Sequence, residues 1–105
     1  MISKAELKKN FAELIGVDDD ATLEEFYASY KDGVQNAAAD MRRGIEAGDF
    51  MAIRAAAHSL KGIALTAGHE EAVQLAVDVS ASAKQLQMEP IRALSARLDE
   101  MCGQL

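Results

Sequence analysis

The strongest constraint on the fold is a stripe of apolar residues, three or four positions apart, that extends from residue 23 to residue 45. Its members are Leu23, Tyr27, Tyr30, Val34, Ala37, Met41 and Ile45. This spacing predicts one face of a long amphipathic helix. The chain has one proline, and no segment alternates apolar and polar residues over the length of a strand. Because half of its 105 residues are apolar, we expect one all-helical domain with a single core.

Capping and terminating residues divide the chain into five helical segments. A capping box of Ser3 and Glu6 opens a short first helix that ends at Gly16. Thr22 and Glu25 form a second capping box at the start of the long stripe. The inner face of the first helix is predicted to comprise Leu7, Phe11 and Leu14.

The second half of the chain predicts three more helices with short connections. One extends from about Phe50 to Ala67 and ends at Gly68, the next begins near Glu70, and Pro90 fits the first turn of the last. The inner stripes of the last two comprise Ala72, Leu75, Ala76, Val79, Ala83 and Leu86, then Ile91, Leu94, Leu98 and Met101. We therefore expect an antiparallel four-helix bundle over residues 22–105. A short helix and a link, residues 1–20, complete a single domain of residues 1–105.

A histidine is predicted on the outer side of the third helix. A helix advances about 100° per residue, so the apolar residues of this segment fall within about 40° of the side opposite His58. Those residues are Ile53, Ala56, Leu60, Ile63 and Ala67. Because that stripe must face the core, the His58 imidazole is expected to point toward solvent.

Two cations share the His58 face, since Arg54 lies four residues before it and Lys61 three residues after. Nearby cations disfavour a protonated imidazole, and a neutral ring keeps the lone pair that makes it a nucleophile. The same positive charges can compensate the negative charge of an incoming phosphoryl group. Gly62 is one turn beyond, where a Cβ is expected to crowd the imidazole and anything docking on it.

Exposed apolar residues near a nucleophile suggest a docking patch for a partner. We assign Met51, Ala55 and Leu65 to it.

The run from Ala57 to Gly62, with Gly68 six residues later, resembles the signature of the histidine phosphotransfer (HPt) family: histidine, any residue, leucine, lysine, glycine. The segment from Ala47 to Phe50, upstream of the histidine, also resembles the corresponding segment of the family. The resemblance implies that His58 is phosphorylated, that Lys61 helps to hold the phosphoryl group, that Gly62 gives access, and that Gly68 lets the next helix pack closely. Arg54 is assigned from helical geometry alone.

The same resemblance implies a partner and a role. HPt proteins are phosphocarriers rather than enzymes, and they relay phosphate between aspartates of receiver domains in response regulators or hybrid sensor kinases. The magnesium that the relay needs belongs to the receiver, so we expect no cofactor and no metal of the chain's own.

Three other functions stay open. A sensor-kinase dimerisation fragment also exposes a histidine, but Ser59 follows it here, where such kinases usually have an acidic residue. A non-catalytic helical interaction module is the second alternative. The third is metal or haem binding through His58 and His69, although His69 is otherwise interpreted as a polar turn residue. A dimer would favour the kinase fragment, and we expect a monomer.

Charge and composition limit the binding partners and the cellular compartment that we expect for the chain. Its net charge of −6 disfavours binding to nucleic acid or to an anionic membrane. The lone Cys102 permits no internal disulfide and fits a reducing compartment. The N-terminal residues lack the apolar run of a signal peptide, and no stretch approaches the roughly 20 apolar residues that span a bilayer. We expect a cytoplasmic protein, with residues 18–20 forming a polar link rather than a metal site.

Overall fold

Four long helices and one shorter helix make up the fold. The computed structural model describes residues 2–105, so residue 1, with which the predicted domain begins, lies outside the described residues. The helices are α1 (Lys4–Ile15), α2 (Asp20–Ala47), α3 (Phe50–Ala67), α4 (Glu70–Lys84) and α5 (Met88–Gln104). Over the described range there is no strand, and no helix is long and apolar enough to cross a bilayer. The all-helical prediction is confirmed.

Helices α2 to α5 form a closed bundle. Each packs on the next, and α5 packs back on α2, while α1 packs outside against α2 and α3. Connections of two or three residues join the bundle helices, so consecutive helices run antiparallel. The bundle with a short additional N-terminal helix is the architecture that the apolar stripes predicted.

The apolar stripes form the core. Six of the seven stripe residues of α2 are buried, and Ile45 is half-buried. On α3, Ile53 and Leu60 are fully buried, whereas Ile63 packs half-buried against the core. The predicted inner face of the histidine-bearing helix is therefore confirmed. Burying a leucine or isoleucine side chain contributes about 1.5–3 kcal/mol, so this stripe fixes the rotation of α3.

The two predicted capping boxes have different outcomes. The Ser3 hydroxyl accepts a hydrogen bond from the Glu6 amide at 3.1 Å, so Ser3 is confirmed as the cap of α1. The Glu6 carboxylate accepts from the Ser3 hydroxyl and not from the Ser3 amide, so the first box forms only in part. The second prediction is wrong, because Asp19 caps α2 and its carboxylate accepts from the Thr22 amide at 3.0 Å. Hydrogen bonds from the Thr22 hydroxyl and amide lower the pKa of Asp19. The acidic link thus supplies the helix cap.

Two leucines that the periodicity placed inside are exposed. Leu14 lies in the last turn of α1, which touches the bundle on one side only, and 60% of it is exposed. Leu86 lies beyond the end of α4 at Lys84, and 68% of it is exposed. Both predictions of burial are wrong, because the apolar spacing continues past the point where each helix leaves the core.

Candidate functional site

Helix α3 presents His58 to solvent. Its neighbours Ala57 and Leu60 are fully buried, whereas His58 is exposed. The outward orientation that the sequence predicted is confirmed. The hydrogen bonds and ion pairs found among residues 2–105 do not involve the His58 ring, so its nitrogens are available to an incoming group.

His58 lies on one wall of an open groove of about 810 Å³ between α3 and α4. The α3 wall comprises Met51, Arg54, Ala55, His58 and Lys61. The opposite wall comprises Val77, Ser80, Ala81 and Lys84 of α4, with Gln85 just beyond it. Four side chains assigned from sequence to one face of α3 therefore do share a groove with the imidazole. They are Met51, Arg54, Ala55 and Lys61.

Lys84 is the residue that sequence reasoning missed. Val77, Ser80 and Lys84 are three and four positions apart, on the side of α4 away from its buried stripe. That spacing marks a continuous outer face. The signal was visible, but only the packing of α4 against α3 shows that this face lies across from His58.

The groove is locally positive in an acidic protein. Six of the eleven lysines and arginines form ion pairs, all outside the groove. In the described part of the chain, Arg54, Lys61 and Lys84 form none, and no carboxylate lines the groove. Three uncompensated cations therefore share the groove with the imidazole although the chain carries a net charge of −6. Such a groove favours an anionic ligand.

Comparison with known families shows which protein family contains this groove. The profile of the Hpt domain family matches residues 25–105, which include α3, α4 and the entire groove. The chain belongs to the Hpt domain family. The resemblance found in residues 57–62 and at Gly68 is thereby confirmed. No curated protein and no solved structure matches the chain. Hpt domains are phosphocarriers in phosphorelays, not enzymes, and they interact with receiver domains.

Gly62 of this Hpt domain borders open space. A Cβ built there meets no heavy atom within 4 Å. The expected contact with the His58 imidazole is therefore absent, and that part of the prediction is wrong. The missing side chain leaves the surface at Gly62 open.

The predicted docking patch divides into two places. Met51 is 81% exposed and shares the groove with His58, as does Ala55. Leu65 is exposed but lines a separate cavity of about 460 Å³ with Gly68 and Val73. The Hpt domain therefore places only the first two in the groove with His58.

Gly68 ends α3 in a left-handed conformation, with φ of 61°. A Cβ there would be 2.9 Å from the Asn10 amide nitrogen, which itself donates to the Ala67 carbonyl at 3.0 Å. The close neighbour of Gly68 is thus α1. Gly68 is also the cap of α3, two residues before α4 begins, and its role in letting α4 pack closely stays a prediction.

His69 lies in the turn between α3 and α4, as predicted, but it is buried. Its ring is 2% exposed, and Nδ1 forms a hydrogen bond with the Tyr30 hydroxyl at 2.6 Å. Burial lowers the pKa of His69, and burial likewise raises the pKa of Tyr30. The two histidines of this Hpt domain therefore differ sharply, since one is exposed among cations and the other forms part of the core.

Proposed function

We propose that His58 accepts a phosphoryl group from the aspartyl phosphate of a receiver domain and passes it to a receiver aspartate of the same relay. One observation carries the proposal: the exposed imidazole shares its groove with three cations that have no acidic partner among the described residues. Membership of the Hpt domain family supports it.

The proposed step is a displacement at phosphorus. A lone pair on an imidazole nitrogen attacks the phosphorus, and a nitrogen–phosphorus bond forms. The bond from phosphorus to the aspartyl oxygen breaks, and the carboxylate leaves with its electron pair. The second ring nitrogen keeps its proton during this step. Return of the group to an aspartate is the reverse displacement.

Positive charge from both walls of the groove supports the transfer. Phosphoryl transfer requires mainly positioning and charge compensation. Lys61 and Arg54 approach from α3, and we add Lys84 from α4, so that cations flank the phosphoryl group from two sides. Because the chain needs to supply only a nucleophile and positive charge, we propose that it acts as a carrier with no cofactor of its own. Met51 and Ala55 would contact the receiver.

A transfer assay tests the proposal. Receiver domains from the same genome are phosphorylated with acetyl phosphate, freed of the donor and mixed with the wild-type chain or with the His58→Gln variant. We expect radiolabel to pass rapidly from one receiver to the wild type and not to the variant. Stable binding of a receiver without any transfer would instead favour the alternative, a non-catalytic interaction module.

A further inference from the structure

Helix α4 ends in an unusual turn. Leu86 has φ of 56° and is the one non-glycine residue with positive φ among residues 2–105. Its amide donates to the Ala83 carbonyl at 3.1 Å, and the Gln87 amide donates to the Ser82 carbonyl at 3.0 Å. This is the Schellman geometry, in which glycine normally occupies the left-handed position.

Packing does not account for a leucine at this position. A left-handed backbone is unfavourable for a residue with a Cβ, and more so for a bulky one. The three other left-handed positions, Gly16, Gly48 and Gly68, are all glycines. The Leu86 side chain is 68% exposed, so burial offsets little of the strain. A strained, exposed apolar residue is a reason to look for a function.

Leu86 is the chain neighbour of a residue that lines the groove. It follows Gln85, which lines the groove together with Met51 from the first turn of α3. Met51 and Leu86 are the two most exposed large apolar residues of the described chain. Met51 thus lies in the cationic groove and Leu86 one residue beyond its α4 wall, an arrangement that suits a partner with an acidic site beside an apolar surface.

We propose that Leu86, together with Met51, is an apolar anchor for the receiver domain that docks over His58, an inference that rests on the proposed function. Charge favours this occupant, because a phosphorylated aspartate would bring negative charge to three cations that lack acidic partners in the described structure. A second copy of the chain that docked through the same groove would instead bring its own cations against them.

Three variants test the proposal against the receiver that phosphorylates the wild type fastest. Leu86→Gly removes both the side chain and the strain, Leu86→Ala removes only the side chain, and Leu14→Ala removes another exposed leucine, from α1. Calorimetric titration gives Kd for the unphosphorylated receiver, and thermal unfolding gives Tm. The rate at which the small donor phosphoramidate phosphorylates His58 measures the reactivity of the imidazole without a docked partner.

We expect both Leu86 variants to raise Kd roughly fivefold or more, as the loss of an interface anchor does. Leu86→Gly should also raise Tm by roughly 2–4 °C, whereas Leu86→Ala should not. The phosphoramidate rate should be unchanged in all three variants, and Leu14→Ala should match the wild type throughout.

An unchanged Kd in both Leu86 variants would overturn the anchor and leave transfer to His58 intact. So would a self-association of the wild type that Leu86→Gly abolishes, because the occupant would then be a second copy. Failure of every receiver to phosphorylate the wild type would instead refute the proposed function.

Discussion

Gly62→Ala should stabilise the protein and yet impair its function. Gly62 lies inside α3, where alanine is favoured over glycine by about 1 kcal/mol. The new Cβ meets no heavy atom within 4 Å, so no steric penalty reduces that gain. A gain of about 1 kcal/mol should raise Tm by roughly 4 °C in a domain of this size.

The expected loss of function comes from a steric clash between the new methyl group and the docked receiver. A methyl group forced into a packed contact costs about 1–3 kcal/mol. If the receiver closes on the open surface beside Gly62, transfer should slow roughly 5- to 150-fold. Phosphorylation of His58 by phosphoramidate should keep its rate, because the Cβ does not reach the imidazole.

Gly44→Ala is the matched control for this substitution. A Cβ at Gly44 would lie 2.8 Å from Ile53 Cγ1 and 3.2 Å from the Ile53 backbone nitrogen, where α2 and α3 approach closely. It should lower Tm, measured by circular dichroism, and leave the groove chemistry unaltered. A lower Tm for Gly62→Ala, or a transfer rate equal to that of the wild type, would refute the reasoning about this surface.

Three further predictions follow from the groove and the core. Lys84→Ala should slow phosphoryl transfer from the receiver and make the transfer rate less dependent on ionic strength. Lys9→Ala, which removes an exposed lysine of α1, should change neither the rate nor its dependence on ionic strength. Equal transfer rates for the two variants would show that Lys84 is not part of the site. Leu60→Ala, at a fully buried position, should lower the free energy of unfolding in urea by about 2–4 kcal/mol, and a loss below about 1 kcal/mol would contradict its place in the core. Because burial lowers the pKa of His69 from 6.5, the unfolded chain binds more protons just below that pH, and stability should fall as pH decreases through this range. Urea titrations from pH 7 to pH 5 should show this fall in His58→Gln and a flatter profile in His69→Gln; the same slope in both would refute the assignment.

Local patterns in the sequence were sufficient to predict the bundle and the exposure of His58. The stripe of α2 and the inner face of α3 follow from helical spacing, and they alone turn His58 outward. The cations on its own helix follow from the same geometry. These features depend on residues within a few turns of one another, so no knowledge of tertiary contacts was needed.

What the sequence could not reveal depends on contacts between distant segments. Lys84 reaches the site because α4 packs across from α3, and His69 is buried because Tyr30, 39 positions earlier, meets its ring. Leu86 continues the apolar spacing of α4, and no glycine follows it there to show that the helix has already ended at Lys84. Pro90 indicates only where the next helix begins. The close contact of Gly68 likewise involves a distant residue, Asn10 of α1.

The central claim concerns which of the two histidines carries phosphate. The chain should be phosphorylated by its receiver, kept at alkaline pH and mapped by tandem mass spectrometry of its peptides. The account predicts phosphate on His58 in the groove and none on His69 in the core. Phosphate on His69, or on a serine with His58 unmodified, would contradict it.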